Sequence, residues 1–307
     1  AKKMTINIKA EKIIPYFTLL RPYQWLKNLL VFSGLIFSTS LLKADVFLTS
    51  LAAFVIFCIA SSSVYILNDI RDVNLDKLHP EKRKRPLASG EVPINKAVII
   101  MSLLVLVTLV SAFFLNKSFL VMIIAYFLIN IAYSYGLKKV VILDAFLVAL
   151  GFLIRVFAGC IVIDVDASPW LFICTLSLAL VISFGKRRNE LNILRDDAKN
   201  HRESLHSYDI QLLDIILTIS SATAIGTYSL YTMAHETVTR FGNQRLIVTT
   251  LFVMYGLFRY LHLIYSHNLG GDPVKHLIKD SPSVINGILW VLCVLYIIYG
   301  TSFFPII

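Results

Sequence analysis

Nine apolar stretches, each about long enough to cross a bilayer, occupy most of this 307-residue chain. A spanning helix needs about 20 mostly apolar residues. The sequence supplies them at 25–42, 47–67, 94–115, 118–135, 140–163, 169–185, 212–232, 244–265 and 283–304. The fourth and fifth are parted only by Gly136, Leu137, Lys138 and Lys139, and the Lys pair marks the break. A soluble domain is about 25% charged, whereas this chain is 16% charged and 57% hydrophobic. No stretch between the spans is long enough for a separate soluble core. The expectation is an all-α polytopic membrane protein. It would form one integral domain over 1–307, with a basic, partly interfacial segment at 1–24.

Lysine and arginine orient the spans. With the N-terminus in the cytoplasm, 22 of the 29 fall in cytoplasmic segments and four outside (Lys43, Lys117, Arg240, Arg245). Lys96, Arg155 and Arg259 lie within spans. The cytoplasmic set includes Lys2, Lys3, Lys9 and Lys12, the cluster from Lys82 to Arg85, and Arg195, Lys199, Arg202 and Lys275. This bias predicts a multi-pass protein of the bacterial inner (cytoplasmic) membrane, with its N-terminus inside and its C-terminus outside. It also accounts for most of the net charge of +10, as topology signal and contact with anionic lipid. The basic residues are dispersed over five membrane-proximal segments, which argues against nucleic acid as a partner. No cleavable signal pattern is expected, because the first apolar run is too long for a signal segment.

Cys58, Cys160, Cys174 and Cys293 each sit in an apolar run and form no CxxC pair. They read as small buried hydrophobes. The seven histidines show no zinc-binding spacing.

The acidic residues are less ordinary. The second stretch ends in Asn68-Asp69-Ile70-Arg71-Asp72-Val73-Asn74-Leu75-Asp76. If the helix continues, Asn68, Asp69, Asp72 and Asp76 fall within about 100° of its circumference. Three carboxylates on one stripe repel one another unless a cation neutralises them. Hard oxygens suit Mg²⁺, which typically bridges one or two carboxylates to substrate phosphates. The competing reading is a solvated helix end paired with Arg71 and Lys77. The run His79-Pro80-Glu81-Lys82-Arg83-Lys84-Arg85-Pro86-Leu87-Ala88-Ser89-Gly90 follows. Metal-holding carboxylates beside a cluster of cations make a receptor for a metal-bound diphosphate.

The string NDxxDxxxD followed by Arg85-Pro86-Leu87 resembles the first signature of UbiA-type intramembrane prenyltransferases. Arg21-Pro22-Tyr23-Gln24-Trp25-Leu26-Lys27-Asn28 resembles that family's usual approach to its first span. The similarity runs along nearly the whole chain. It implies a nine-transmembrane-helix UbiA-like bundle with a Mg²⁺-diphosphate site at the cytoplasmic helix ends, and Asn68, Asp69, Asp72 and Asp76 as metal ligands.

The chain departs from the family's aromatic prenyltransferases, which usually carry a second motif, DxxxD, after the fourth span. Here Asp144 is present but position 148 is Val148. In place of the second aspartate come Arg155, inside an apolar span, and Gly185-Lys186-Arg187-Arg188-Asn189-Glu190. The loop from His79 to Pro86, Tyr133-Ser134-Tyr135-Gly136-Leu137-Lys138, Gly151-Phe152-Leu153-Ile154-Arg155 and Gly270-Gly271-Asp272-Pro273 together resemble the decaprenyl-phosphate phosphoribosyltransferase branch. That resemblance implies transfer of 5-phosphoribose from phosphoribosyl diphosphate (PRPP) to a polyprenyl phosphate, with release of diphosphate.

Donor and acceptor bring several anionic groups to one place, which suits one aspartate motif with added cations. Asp72 and Asp76 are expected to act in catalysis through Mg²⁺. Asp144 is expected to position the ribose hydroxyls or support an oxocarbenium-like transition state. The expected substrate contacts are Lys27, Asn28, Arg83, Arg85, Tyr133, Lys138, Arg155, Lys186 and Arg187. The lipid tail would lie between spans, beside residues such as Phe152 and Phe157. An Arg at the centre of a span costs roughly 2.5–3.5 kcal/mol on insertion scales, so Arg155 should face the bundle interior. Its competing role is a packing pair with Asp144. Lys186 and Glu190 could form a simple i,i+4 pair. Two other functions compete: transfer of a prenyl group to an aromatic or lipophilic acceptor, and transport of a lipid or small molecule. The missing second aspartate counts against the first. The lack of internal repeats counts against the second.

Overall fold

The computed structural model describes residues 13–194, 208–266 and 277–303. The cations Lys2, Lys3, Lys9, Lys12, Arg195, Lys199, Arg202 and Lys275 lie outside them, as does the Gly270–Pro273 run. Among the described residues all regular structure is helical. Eight helices are long and apolar enough to cross a membrane, which makes this a multi-pass membrane protein. They are α1 (Ala44–Leu78), α2 (Ile94–Leu115), α3 (Lys117–Tyr135), α4 (Leu143–Ile161), α5 (Pro169–Leu194), α6 (Ile210–Met233), α7 (Thr250–Ser266, which spans together with the 3₁₀ segment Arg245–Thr249 before it) and α8 (Ser281–Phe303).

The ninth expected span takes a different form. Residues 25–42 were expected as one helix, but Pro22–Phe32 is a 3₁₀ helix and only Ser33–Phe37 is α-helical. Side-chain hydrogen bonds and close backbone packing accompany this form. Trp25 Nε1 donates to Ser62 Oγ at 3.0 Å, and Asn28 Nδ2 donates to Ser61 Oγ at 3.1 Å. Ser62 Oγ donates to the Leu20 carbonyl at 2.8 Å. A Cβ on Gly159 would lie 2.0 Å from the Val31 carbonyl oxygen, so glycine is what lets α4 meet this backbone. A 3₁₀ helix rises about 2.0 Å per residue, so 22–37 covers about 30 Å along a straight axis. That is roughly the thickness of the hydrocarbon core.

The residues group into two compact units. The first holds the chain up to Leu35, Leu41–Lys138 and Ile154–Asp166. There α1 packs against the 3₁₀ segment, α2 and α3. Its core joins Val31, Ala53, Phe57, Ala60, Phe119, Ile123, Tyr126 and Ala158, with Phe57 edge-on to both Phe119 and Tyr126. A second cluster of Leu19, Ile66, Leu87, Val92 and Ala97 pins down the loop after α1. The second unit holds Ile36–Ser40, Lys139–Leu153 and the chain from Ala167 onward. There α5 packs on α6, α6 on α7, and α7 on α8.

Two helices run past their apolar stretches. At 35 residues, α1 is about 52 Å long against a hydrocarbon core of about 30 Å, and the acidic motif occupies its last three turns. Helix α5 continues to Leu194, so Lys186–Glu190 is helical as well. Between α2 and α3, Asn116 caps the latter by accepting from the N–H groups of Ser118 and Phe119.

Candidate active site

In the first unit the acidic motif meets cations from three other segments. Asp69 and Asp76 lie seven residues apart, roughly 20° from one another around α1. Both are buried. Arg85 bridges them through Nη1, at 3.1 Å from Asp69 Oδ1 and 2.6 Å from Asp76 Oδ2. Arg21 also donates to Asp69 Oδ1, and its guanidinium carbon lies 5.2 Å from the Tyr65 ring centre. Arg21 has φ +53°, left-handed backbone uncommon for a residue with a side chain. On the neighbouring part of the stripe, the end of α3 supplies the partners. Lys138 pairs with the half-buried Asp72, and Ser134 hydrogen-bonds Asn68. Between them Arg71 stacks over Tyr135 at 4.3 Å. The segment 134–138 therefore engages α1 at three successive points.

Each expected site residue of this unit has a definite place. Asn68, Asp69, Asp72 and Asp76 share one stripe, as the helical spacing implies, and Arg85 and Lys138 join them. Arg83 is exposed on the loop, outside the ion-pair cluster. Lys27 is half-buried on the 3₁₀ segment and Tyr133 half-buried on α3. Asn28 and Arg155 form a separate buried network. Arg155 Nε donates to Asn28 Oδ1 at 2.7 Å and Nη2 to the Tyr126 hydroxyl at 3.0 Å. Arg155 faces the interior as expected, 4% exposed, with its guanidinium 4.9 Å from the Tyr126 ring centre.

The second unit holds another ionic cluster. Asp144, in the first turn of α4, is fully buried, and so is Arg187 on α5. Arg187 Nε donates to Asp144 Oδ2 at 2.5 Å, and Nη1 reaches Glu190 Oε2 at 3.4 Å. The Tyr208 hydroxyl donates to Asp144 Oδ1 at 2.8 Å and accepts from the Ile142 N–H at 2.6 Å. Ile142 has φ +68°, a strained conformation for a β-branched residue, which this hydrogen bond helps hold. Burial, and then the hydrogen bond and charge of Asp144, push the Tyr208 hydroxyl above its ordinary value near 10. It therefore stays an O–H donor. Lys186 is half-buried beside this cluster on α5. The next residue, Arg188, donates through Nε to Asp214 Oδ1 at 2.5 Å, and its guanidinium stacks on Tyr265 at 4.0 Å.

Sequence reasoning did not name Arg21, Ser134 or Tyr208 as site residues. Arg21 and Ser134 sit inside the motifs that carry the family resemblance, so their segments are visible in the sequence although their contacts are not. Tyr208 gives no signal, because its partner Asp144 is 64 residues away.

Among the described residues no three His, Cys, Asp or Glu side chains form a self-contained metal cage. Asn68, Asp72 and Asp76 instead supply oxygens along one stripe, with Arg85 and Lys138 beside them. That arrangement fits a cation held by one or two carboxylates and completed by phosphate oxygens and water.

Comparison with known proteins identifies the family. Residues 29–277 match the profile of the UbiA prenyltransferase family. A decaprenyl-phosphate phosphoribosyltransferase of Mycolicibacterium smegmatis is 36% identical over 224 residues, covering 70% of this chain and 69% of that protein. The protein of that name from Mycobacterium tuberculosis is 28% identical over 279 residues, covering 90% of this chain and 91% of that one. Among solved structures, a UbiA homolog from Archaeoglobus fulgidus bound to GPP and Mg²⁺ superposes with a TM-score of 0.68 at 18% identity. It covers 95% of this chain and 100% of that one. By profile, by relatives and by fold, this chain belongs to the UbiA prenyltransferase family.

Proposed function

We propose that the protein transfers 5-phosphoribose from PRPP to a polyprenyl phosphate, in a reaction that depends on Mg²⁺. The observation that carries the reading is the pairing of Asp72 with Lys138 and of Asp76 with Arg85. Carboxylate oxygens of the kind that ligate Mg²⁺ and cations of the kind that bind phosphate occupy one place. The relatives named decaprenyl-phosphate phosphoribosyltransferase support the choice of donor and acceptor.

Asn68, Asp72 and Asp76 would hold Mg²⁺, which when bound would act as a Lewis acid on the departing diphosphate. Asp69, buried between Arg21 and Arg85, orients those two cations. Lys27, Arg83, Arg85 and Lys138 receive phosphate oxygens. Tyr133 lies along the same helix end as Ser134. The bond between the anomeric carbon and the diphosphate oxygen breaks, and its electron pair leaves with diphosphate. An oxygen of the acceptor phosphate forms the new bond to that carbon. That oxygen is already anionic, so the step needs no general base.

Asp144 was expected to meet the ribose directly. Its carboxylate has no exposed surface and carries donors on both oxygens, so in this reading it acts through Arg187, which it orients. Asn28 and Arg155 stiffen the span beneath the site rather than touch the donor. The lysine and arginine bias supports a bacterial cytoplasmic membrane location with the N-terminus and site inside and the C-terminus outside. One integral UbiA-like domain over 1–307 is consistent with the family match. The partners are then PRPP, a polyprenyl phosphate and the surrounding membrane lipids.

The test is to incubate purified protein with Mg²⁺, radiolabelled PRPP and a polyprenyl phosphate. Label should move into the lipid phase. No transfer, together with activity on a prenyl diphosphate and an aromatic acid, overturns the reading.

A further inference from the structure

Ser134 has one hydroxyl hydrogen and two oxygen neighbours. Its Oγ lies 2.7 Å from the Asn130 carbonyl oxygen, one turn back in α3, and it also meets the Asn68 side-chain amide at Oδ1. Ser134 is 3% exposed, so water does not relieve the conflict. If the hydrogen pointed at Asn68 Oδ1, the serine lone pairs would face the Asn130 carbonyl at 2.7 Å with nothing between them. If it points at Asn130, as helical serines commonly do, the serine offers Asn68 only lone pairs. The Asn68 amide then makes a hydrogen bond by presenting Nδ2–H. The two ends of an asparagine amide have the same shape, so the hydrogen-bond network decides which end faces where. Only this arrangement puts a hydrogen in both contacts.

We propose that Ser134 is a positioning residue that fixes the Asn68 amide with Nδ2 toward the serine and Oδ1 released for a divalent cation. The inference deepens the metal assignment of Asn68 above and rests on it. A metal accepts the oxygen end of an amide and rejects the nitrogen end, so an amide free to turn spends part of its time presenting the wrong atom. Outer partners of this kind are typically worth 10- to 100-fold in metal affinity.

The test uses Mn²⁺ alone, bound to the detergent-purified full chain and read by electron paramagnetic resonance. Ser134→Ala should weaken Mn²⁺ binding about 10-fold or more. Ser134→Thr, which keeps the hydroxyl, should retain affinity, while its isostere Ser134→Val should behave as the alanine variant does. The deciding comparison is made in Asn68→Asp. A carboxylate has two equivalent oxygens and needs no orienting, so Ser134→Ala should cost little there. Equal losses in both backgrounds indicate a merely structural serine and overturn the proposal. So do an unaffected Ser134→Ala protein, a Ser134→Thr protein as weak as Ser134→Val, or an unsubstituted protein without a Mn²⁺ site. If phosphoribosyl transfer fails while the Ser134–Asn68 coupling persists, the donor assignment falls and this inference stands.

Discussion

Lys138, on the turn after α3, is ion-paired with Asp72 on α1, 66 residues earlier in the chain. Both are partly exposed, so the pair is open to ligand and exchangeable. Removing the cation leaves the carboxylate in place but deletes a phosphate contact. Lys138→Met should lower kcat/KM for PRPP about 10- to 100-fold, the scale of one hydrogen bond to a charged group. Asp72→Ala should abolish turnover while insertion is intact. Steady-state kinetics in detergent, with expression checked by gel filtration, decides both. An active Asp72→Ala enzyme would remove that residue from the metal set.

The Asp144–Arg187 pair should behave differently, because it is enclosed. Asp144→Ala leaves a buried guanidinium without that partner, a change that costs about 3–5 kcal/mol in comparable sites. The thermal midpoint in detergent should fall sharply. The double variant Asp144→Leu with Arg187→Met should recover much of the stability but no activity. If the double variant is as unstable as the single one, the pair is not the unit described above.

Tyr208 carries a pH signature. Its hydroxyl is held protonated above the ordinary range, so the folded state favours the protonated form. The stabilisation is therefore full below about pH 10, where the unfolded group is also protonated, and is lost as the pH rises above that. Thermal midpoints measured from pH 8 to 11 should fall more steeply for the native protein than for Tyr208→Phe. Parallel curves would contradict the raised value.

Gly159 reports on the unusual first span. With a Cβ directed at the Val31 carbonyl, Gly159→Ala must push the 3₁₀ segment off α4. Overpacking of this kind typically costs 1–3 kcal/mol, and backbone on the opposing side gives little room for adjustment. A lowered thermal midpoint is expected, with a shifted emission from Trp25, whose indole bonds Ser62.

The acidic motif was legible because helical periodicity fixes its stripe. Asn68, Asp72 and Asp76 could be placed together without knowing what they face. Arg85 and Lys138 were legible from charge and resemblance, though which carboxylate each would choose was not. The 3₁₀ form of 22–32 was hidden because its apolar pattern is the same as that of an α-helix. What distinguishes it is long-range: Ser61 and Ser62 on one side and Gly159 on the other. The burial of Asp144 was not legible, because an isolated aspartate at a span end looks available. Tyr208 and Arg187, far away in sequence, both bond its carboxylate.

The length of α1 makes bilayer thickness a variable of the chemistry. From Asn68 to Asp76 the motif climbs about 12 Å along the helix axis. If Asn68 sits at the level of the lipid phosphates, Asp76 lies that much further into water, where a soluble sugar phosphate would arrive. Helix length thus acts as a ruler that sets where an oily acceptor and a soluble donor can meet. Removing one turn from the apolar part would sink the motif by about 5.4 Å. Thinner membranes should restore what that deletion takes away.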